Sequence, residues 1–453
     1  MLRPMGGRKW WVLLGLALAA CGDDGGDGAL DAAVTDGSVE RDGTIDADAF
    51  SSSDAGPPEP TVILPRIAIE ADELAVLVND DDPLSVAVAD AYVEARGIPE
   101  ANVVHLTLPV GMNVLSRDAF ADAEAAMEDA LPEGIEALAL TWTQPFRVDC
   151  MSITSAFALG FDEMYCNTAG GCASTAPVDY FASLSTHPLA DHGLRPTMML
   201  AATSAEGGRA LAERGVAADD TFPGGDGYLV RTTDTARSVR HPTFPGVVSD
   251  WEGTLAFTYV DNADGGGDNT IADTEDVFFY FTGLARVPDI ATNTYLPGAI
   301  ADHLTSFGGR VPTSGQMSIM EWIDAGATGS YGTVVEPCNY QQKFPSVPIV
   351  VEHYFHGATL VEAYWKSVRW PGEGLFVGAP LARPYGLQEV TVDADSITIE
   401  TNAIRPGERW AVQTAESVDG PWATELEVGT DTHERVTITA PRTGAPFVRL
   451  ERL

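Results

Sequence analysis

Two neighbouring stretches, residues 297–309 and 325–338, constrain the fold of this chain more than any others. Each is built mostly of small and apolar residues and stops abruptly in a polar or Gly-rich loop, the pattern of a strand covered on both faces. Residues 318–324 between them have the spacing of a short helix, so the unit reads strand, helix, strand. Ligands of open α/β sheets bind in the crevice at the carboxyl ends of parallel strands. That rule gathers Ser306, Phe307, Gly308, Glu336 and Cys338 around one site.

The same alternation runs back through the chain. Compact apolar runs at 74–79, 102–108, 135–142, 197–202, 227–232, 255–260 and 277–281 read as strands, and 374–378 as the last of them. Helical spacing of apolar residues appears at 84–95, 116–131, 206–214 and 353–368, the last broken at Gly357. Strand and helix in alternation predict an α/β domain over 61–386, with a Rossmann-like, mainly parallel sheet flanked by helices. Residues 143–195 lose the periodicity and read as a cysteine-containing insertion lying over the strand ends. From 387 to 453 the apolar period becomes two between turn residues, which predicts a small C-terminal β-sandwich.

The first residues address compartment. Arg3, Arg8 and Lys9 precede an apolar run from Trp10 to Ala20, and the run ends Leu18-Ala-Ala-Cys21. A charged start, a short apolar stretch and small residues before a cleavage point make a signal peptide over 1–21. The run resembles a bacterial lipobox, which implies cleavage before Cys21 and a lipid on its sulfur. The chain is then exported and anchored to a membrane without spanning it. Gly22 after Cys21 resembles the sorting rule for the outer membrane. Residues 22–60 are mainly Asp, Gly, Ala and Ser, too poor in apolar surface to offset ordering entropy, and read as a disordered acidic tether. The formal net charge of −40 excludes nucleic acid as a partner and favours divalent cations.

With Cys21 lipidated, Cys150, Cys166, Cys172 and Cys338 remain, and four cysteines allow three pairings. Cys166 and Cys172, with five residues between them, read as a local staple, which leaves Cys150 for Cys338. Their spacing is not that of a tight metal site. Cys338 is alternatively a nucleophile, with Glu336 and Asp302 orienting a base; Ser306 is a second candidate without an evident base. His303 lies on the opposite face of its strand from Ser306 and reads as a hydrogen-bonded core residue. Trp142, Gln144 and Arg147, with Asp302, Phe307 and Gly308, suit a peptide, protein or glycan ligand. The plainer reading has Trp142 in the core and Arg147 paired with Asp149. Asp80–Asp82 read as a helix cap. Asp261, Asp264, Asp268 and Asp273 lie in a Gly-rich loop of hard oxygen ligands suited to calcium, although the spacing is not that of an EF-hand.

Residues 296–309, 329–338, 378–384 and the run Tyr92-Val-Glu-Ala-Arg-Gly-Ile-Pro99 resemble a bacterial family without an established activity, found in genomes that carry exosortase. The resemblance spans residues 73–385. A more distant one is to gingipain-type cysteine peptidases, whose fold is caspase-like; Gly378-Ala-Pro-Leu-Ala-Arg383 resembles their closing Gly-Asp-Pro turn, with Ala379 in place of the acid. Those enzymes place a His-Gly after one strand and a cysteine after the next. Here Leu284 and Ser306 stand at those positions. The resemblance therefore implies a caspase-like domain without its dyad, acting as a binding or accessory module in the cell envelope. The alternative is a peptidase using Cys338 or Ser306.

Overall fold

The computed structural model describes residues 59–453 except Gly170, so the signal peptide, Cys21 and nearly all of the tether lie outside the described residues. No helix among the described residues is long and apolar enough to cross a membrane.

Ten strands form the main sheet: β1 (Leu74–Asn79), β2 (Val103–Leu106), β3 (Ala137–Leu140), β4 (Thr197–Met199), β5 (Asp226–Arg231), β6 (Phe257–Asp261), β7 (Val277–Thr282), β8 (Tyr295–His303), β9 (Gly329–Thr333) and β10 (Gly374–Gly378). Their spatial order is β6-β5-β7-β8-β9-β10-β4-β3-β1-β2. All neighbours are parallel except β9 and β10, which are antiparallel. The sheet is therefore two parallel halves pointing in opposite directions. This corrects the expectation of one rim, because the carboxyl end of β3, from which Trp142 and Gln144 leave, opens at the opposite edge from β8 and β9. Apolar periodicity reports that a strand is buried and says nothing of its direction.

The helices form where their caps place them. Asp82 accepts from the Leu84 N–H at 2.9 Å, Pro83 occupies the first helical position, and Gly97 at φ 63° ends α1 (Pro83–Arg96). Ser116 likewise caps α2 (Arg117–Ala130), and Ser152 caps α3 (Ile153–Leu159). Ser204 caps α4 (Ala205–Ala218), which packs against α1, and α5 (Met320–Ala325) lies between β8 and β9 in sequence. The helix expected near the end of the domain starts earlier, as α6 (Val347–Phe355), and resumes as α7 (Leu360–Ser367). Gly357 separates them at φ 88°, where a Cβ would stand 2.6 Å from the Ile67 side chain.

After Tyr385 the chain enters a three-stranded sheet of β11 (Glu389–Val392), β12 (Ser396–Thr401) and β15 (Val436–Pro441). A second sheet holds β13 (Arg409–Ala415), β14 (Ala423–Gly429) and β16 (Phe447–Arg452). Ile397, Ile399, Val412, Ile438, Val448 and Leu450 fill the space between them. The fourth strand of the second sheet, Thr61–Ile63, pairs parallel to β16. Residues expected to open the α/β domain thus complete the sandwich.

Candidate functional site

Alternation along β8 sets the site's polarity. Ala301 and His303 face one side, where the His303 Nδ1 accepts from the Trp322 indole N–H at 2.9 Å. His303 is wholly buried, and burial first, then the Arg240 charge, push its pKa down to about 3. It is a neutral core residue, as the strand register implies. Asp302 faces the other side and meets Arg240 at 2.6 Å, both nearly inaccessible. Asp302 is therefore not a ligand-facing residue; it holds Arg240, whose guanidinium also donates to the Thr282 carbonyl at 2.8 Å.

Beyond β8 the chain bends into the loop 304–319. The Ser306 hydroxyl donates to Glu336 Oε1 at 3.2 Å, and the same oxygen accepts from the Cys338 N–H at 2.9 Å. The Ser306 N–H is bonded to Gln316 Oε1 at 3.1 Å. Gly309 and Gly332 permit this loop to lie against β9, since a Cβ on Gly309 would stand 2.3 Å from the Gly332 carbonyl oxygen. Gly308 is buried by that approach. The Phe307 ring is covered by Arg310 at 3.9 Å, so it serves as a platform for the guanidinium.

The cysteines pair otherwise than expected. Cys150 is bonded to Cys166, and Cys172 to Cys338. Short sequence separation suggested a 166–172 staple, yet the fold seats Cys150 beside Cys166 and carries Cys172 across to the loop after β9. Cys338 is thus a disulfide partner, and its thiol is not available as a nucleophile. Ser306 faces a carboxylate and no imidazole.

The binding residues expected from the third strand divide. Trp142 is wholly buried, its indole donating to the Pro145 carbonyl at 3.2 Å, and belongs to the core. Gln144 is tied to Asn113 at 2.5 Å. Arg147 does return to the β8–β9 rim, for the Arg310 charge, after burial, lowers its pKa. Its hydrogen bond goes to the Asp149 carbonyl at 2.6 Å, while the Asp149 carboxylate is taken by Arg117. The acidic loop does not converge either. Asp261 faces Arg231, Tyr259 and the Ala263 N–H, Asp264 caps Gly266, and no three of the four loop carboxylates form a metal-sized cluster.

Sequence reasoning missed the cavity beside this rim. About 190 Å³ in volume, it lies between Arg240, Arg369, Gln341, Ser346 and the rings of Phe181 and Phe344. The signal available was scarcity: in a chain with 26 basic residues against 66 acidic ones, an arginine without a carboxylate is unusual. Arg147, Arg310 and Arg369 make no ion pair among the described residues. Arg369 is exposed, with the Phe181 ring 6.0 Å from its guanidinium.

No family model matches the sequence, and no curated protein matches it. Two solved structures are similar in outline. One, titled "Structure of Protease", is 10% identical, covering 84% of this chain and 97% of its own, with a TM-score of 0.41. The other, a complex of Porphyromonas gingivalis RgpB pro- and mature domains, is 8% identical, covering 84% and 99%, with a TM-score of 0.34. At such scores no residue role passes from either structure to this chain.

Proposed function

We propose that this chain is a binding module for acidic peptides, held at the rim formed by β7, β8 and β9. The observation that carries the reading is that three arginines near this rim, Arg147, Arg310 and Arg369, make no ion pair within 4 Å among the described residues, in a chain of formal net charge −40. Arg369 borders a cavity with phenylalanine walls, whose other arginine, Arg240, is already held by Asp302, so one acidic side chain enters with its charge met by Arg369 and its carbons covered. In this reading the α/β domain is caspase-like and lacks the usual dyad, Leu284 and Ser306 standing at the two positions. The module is exported and held in the cell envelope, at the outer membrane, by a lipid on Cys21. The signal-peptide pattern supports export, and two disulfides are the chemistry of an oxidising compartment.

Titrating labelled acidic and neutral peptides against the purified chain tests the proposal. Arg369→Glu should weaken acidic-peptide binding by about tenfold or more. Arg409→Glu, an exposed charge on the sandwich, should not. Equal affinity for neutral peptides would remove the proposal. A second reading, a peptidase acting through Ser306, is favoured only by the Ser306–Glu336 hydrogen bond. It requires that a serine-directed phosphonate label Ser306 and that Ser306→Ala abolish peptide cleavage.

A further inference from the structure

The run Glu352-His-Tyr-Phe-His356 places a carboxylate and an imidazole four residues apart, one turn along the end of α6. A third side chain, His433, reaches them from the connection between β14 and β15 of the sandwich. His356 Nε2 lies 3.2 Å from His433 Nδ1 and 3.5 Å from Glu352 Oε1, and His433 Nδ1 lies 3.4 Å from Glu352 Oε2. Among the described residues this is the one group of three or more His, Cys, Asp or Glu side chains close enough to share a metal ion.

The spacing is that of a coordination shell. Four ligands at about 2.0–2.1 Å around a tetrahedral zinc ion are separated from one another by about 3.3–3.4 Å. The three separations fall around that value. The proton inventory points the same way. His356 Nδ1 faces the Asn402 carbonyl at 2.5 Å, and a carbonyl only accepts, so Nδ1 holds the proton and Nε2 presents a lone pair. That lone pair faces the Glu352 carboxylate, another acceptor. His433 has one Nδ1 proton at most for the two of them. Arg405 pairs with Glu352 at 3.3 Å, yet its buried Nε has no hydrogen-bond partner, and the pair leaves the His356 lone pair unmet. A cation inside the triangle does.

The surroundings fix the ligands as outer-shell contacts do in metal sites. The Asn402 carbonyl sets the tautomer of His356. The Trp251 ring stacks on His433 with centroids 4.0 Å apart and planes at 19°, fixing the imidazole's orientation. Glu352 and His433 keep 27% and 14% of their side-chain surface, which leaves a path for the ion and a fourth ligand from solvent.

We propose that Glu352, His356 and His433 bind a zinc ion that fastens the C-terminal sandwich to the end of α6. Two ligands come from the α/β domain and one from the sandwich, so the ion acts as a clip between them. The site shares no residue with the arginine rim, and the two proposals stand independently.

The test uses the purified chain without a histidine tag, stripped with chelator and titrated with zinc, with cobalt as the spectroscopic probe. One equivalent should bind, and the cobalt form should show the intense visible absorption of four-coordinate nitrogen and oxygen ligation. His433→Phe keeps an aromatic ring against Trp251 and removes the donor. Because loss of an outer-shell partner alone costs about 10- to 100-fold in affinity, this loss of a ligand should cost at least about 100-fold. Zinc should also slow proteolysis between the two domains of the native chain and leave His433→Phe unprotected. Should that variant misfold, Glu352→Gln carries the same test. Failure of the native chain to retain zinc, or unchanged affinity in a folded variant, overturns the proposal.

Discussion

Replacing Lys343 with methionine should destabilise the chain far more than removal of any surface charge. Lys343 and Glu373 are both wholly buried and meet at 2.7 Å. At an effective dielectric of about 20, charges at that distance attract by roughly 6 kcal/mol, a gross term set against the desolvation of both ions. Among the described residues the other Glu373 oxygen accepts only the Asn167 N–H, at 3.1 Å. Lys343→Met therefore strands a buried carboxylate on one neutral donor, and the expected loss is about 3–5 kcal/mol. The double variant Lys343→Met, Glu373→Gln removes both charges and keeps an acceptor for Asn167, so most of the loss should return. Denaturant unfolding followed by tryptophan fluorescence and far-ultraviolet circular dichroism reads each variant, with coincident curves required before energies are compared. A loss below about 1 kcal/mol in the single variant, the range of an exposed pair, would refute the reasoning. So would a double variant no more stable than the single one. The pair also anchors the loop after β9, because the Lys343 carbonyl accepts from the Tyr331 hydroxyl at 2.5 Å and Glu373 bonds Val334 through its backbone at 2.9 Å. Acidic-peptide affinity should fall together with stability, since that loop forms a wall of the arginine-lined cavity.

Mass mapping after alkylation without reductant should find Cys150 joined to Cys166 and Cys172 to Cys338; a selectively alkylated Cys338 would contradict that pairing. His303 is neutral in the folded state, with a pKa near 3, whereas an unfolded histidine titrates near about 6.5. The unfolded chain therefore binds the extra proton, and the contribution is complete above about pH 6.5 and lost as pH falls toward 3, at about 1.4 kcal/mol per pH unit. His303→Asn should flatten the stability profile by that slope in that window, and an unchanged slope would show that His303 is not held neutral. Calcium added to the metal-free chain should leave the unfolding midpoint where it was, because Asp261 is already engaged by Arg231 and the Ala263 N–H; a rise abolished by Asp261→Asn would overturn this.

Much of the α/β domain is legible in the sequence because buried strands announce themselves by unbroken apolar runs such as Leu74–Asn79, and helices by caps such as Asp82 and Ser116. Strand direction is not legible, and so the antiparallel step between β9 and β10, which sends Trp142 and Ser306 to opposite edges, went unforeseen. Cysteine pairing depends on which loops meet across the fold. Proximity along the chain favoured Cys166 with Cys172, while the structure joins Cys172 to a residue 166 positions away. The contact of Ser306 with Glu336 follows from their shared rim and was foreseeable. The cavity was not, since Arg240 and Arg369 lie in segments without periodicity. In the metal cluster the four-residue spacing of Glu352 and His356 was visible, but His433 comes from 77 residues later and no local pattern points to it.

The parallel pairing of Thr61–Ile63 with β16 joins the first described strand to the last, across 386 positions from Thr61 to Phe447. Such a contact cannot form until residues 447–449 have been made, and closing so long a loop is entropically unfavourable until the intervening domain has already brought its ends together. The sandwich is thus sealed late in folding, after the large sheet. A chain cut short before Phe447 would leave Thr61–Ile63 without its strand partner and Val62 and Leu64 without the β16 side of their core. The lock on the whole assembly is made by a strand synthesised after the entire α/β domain.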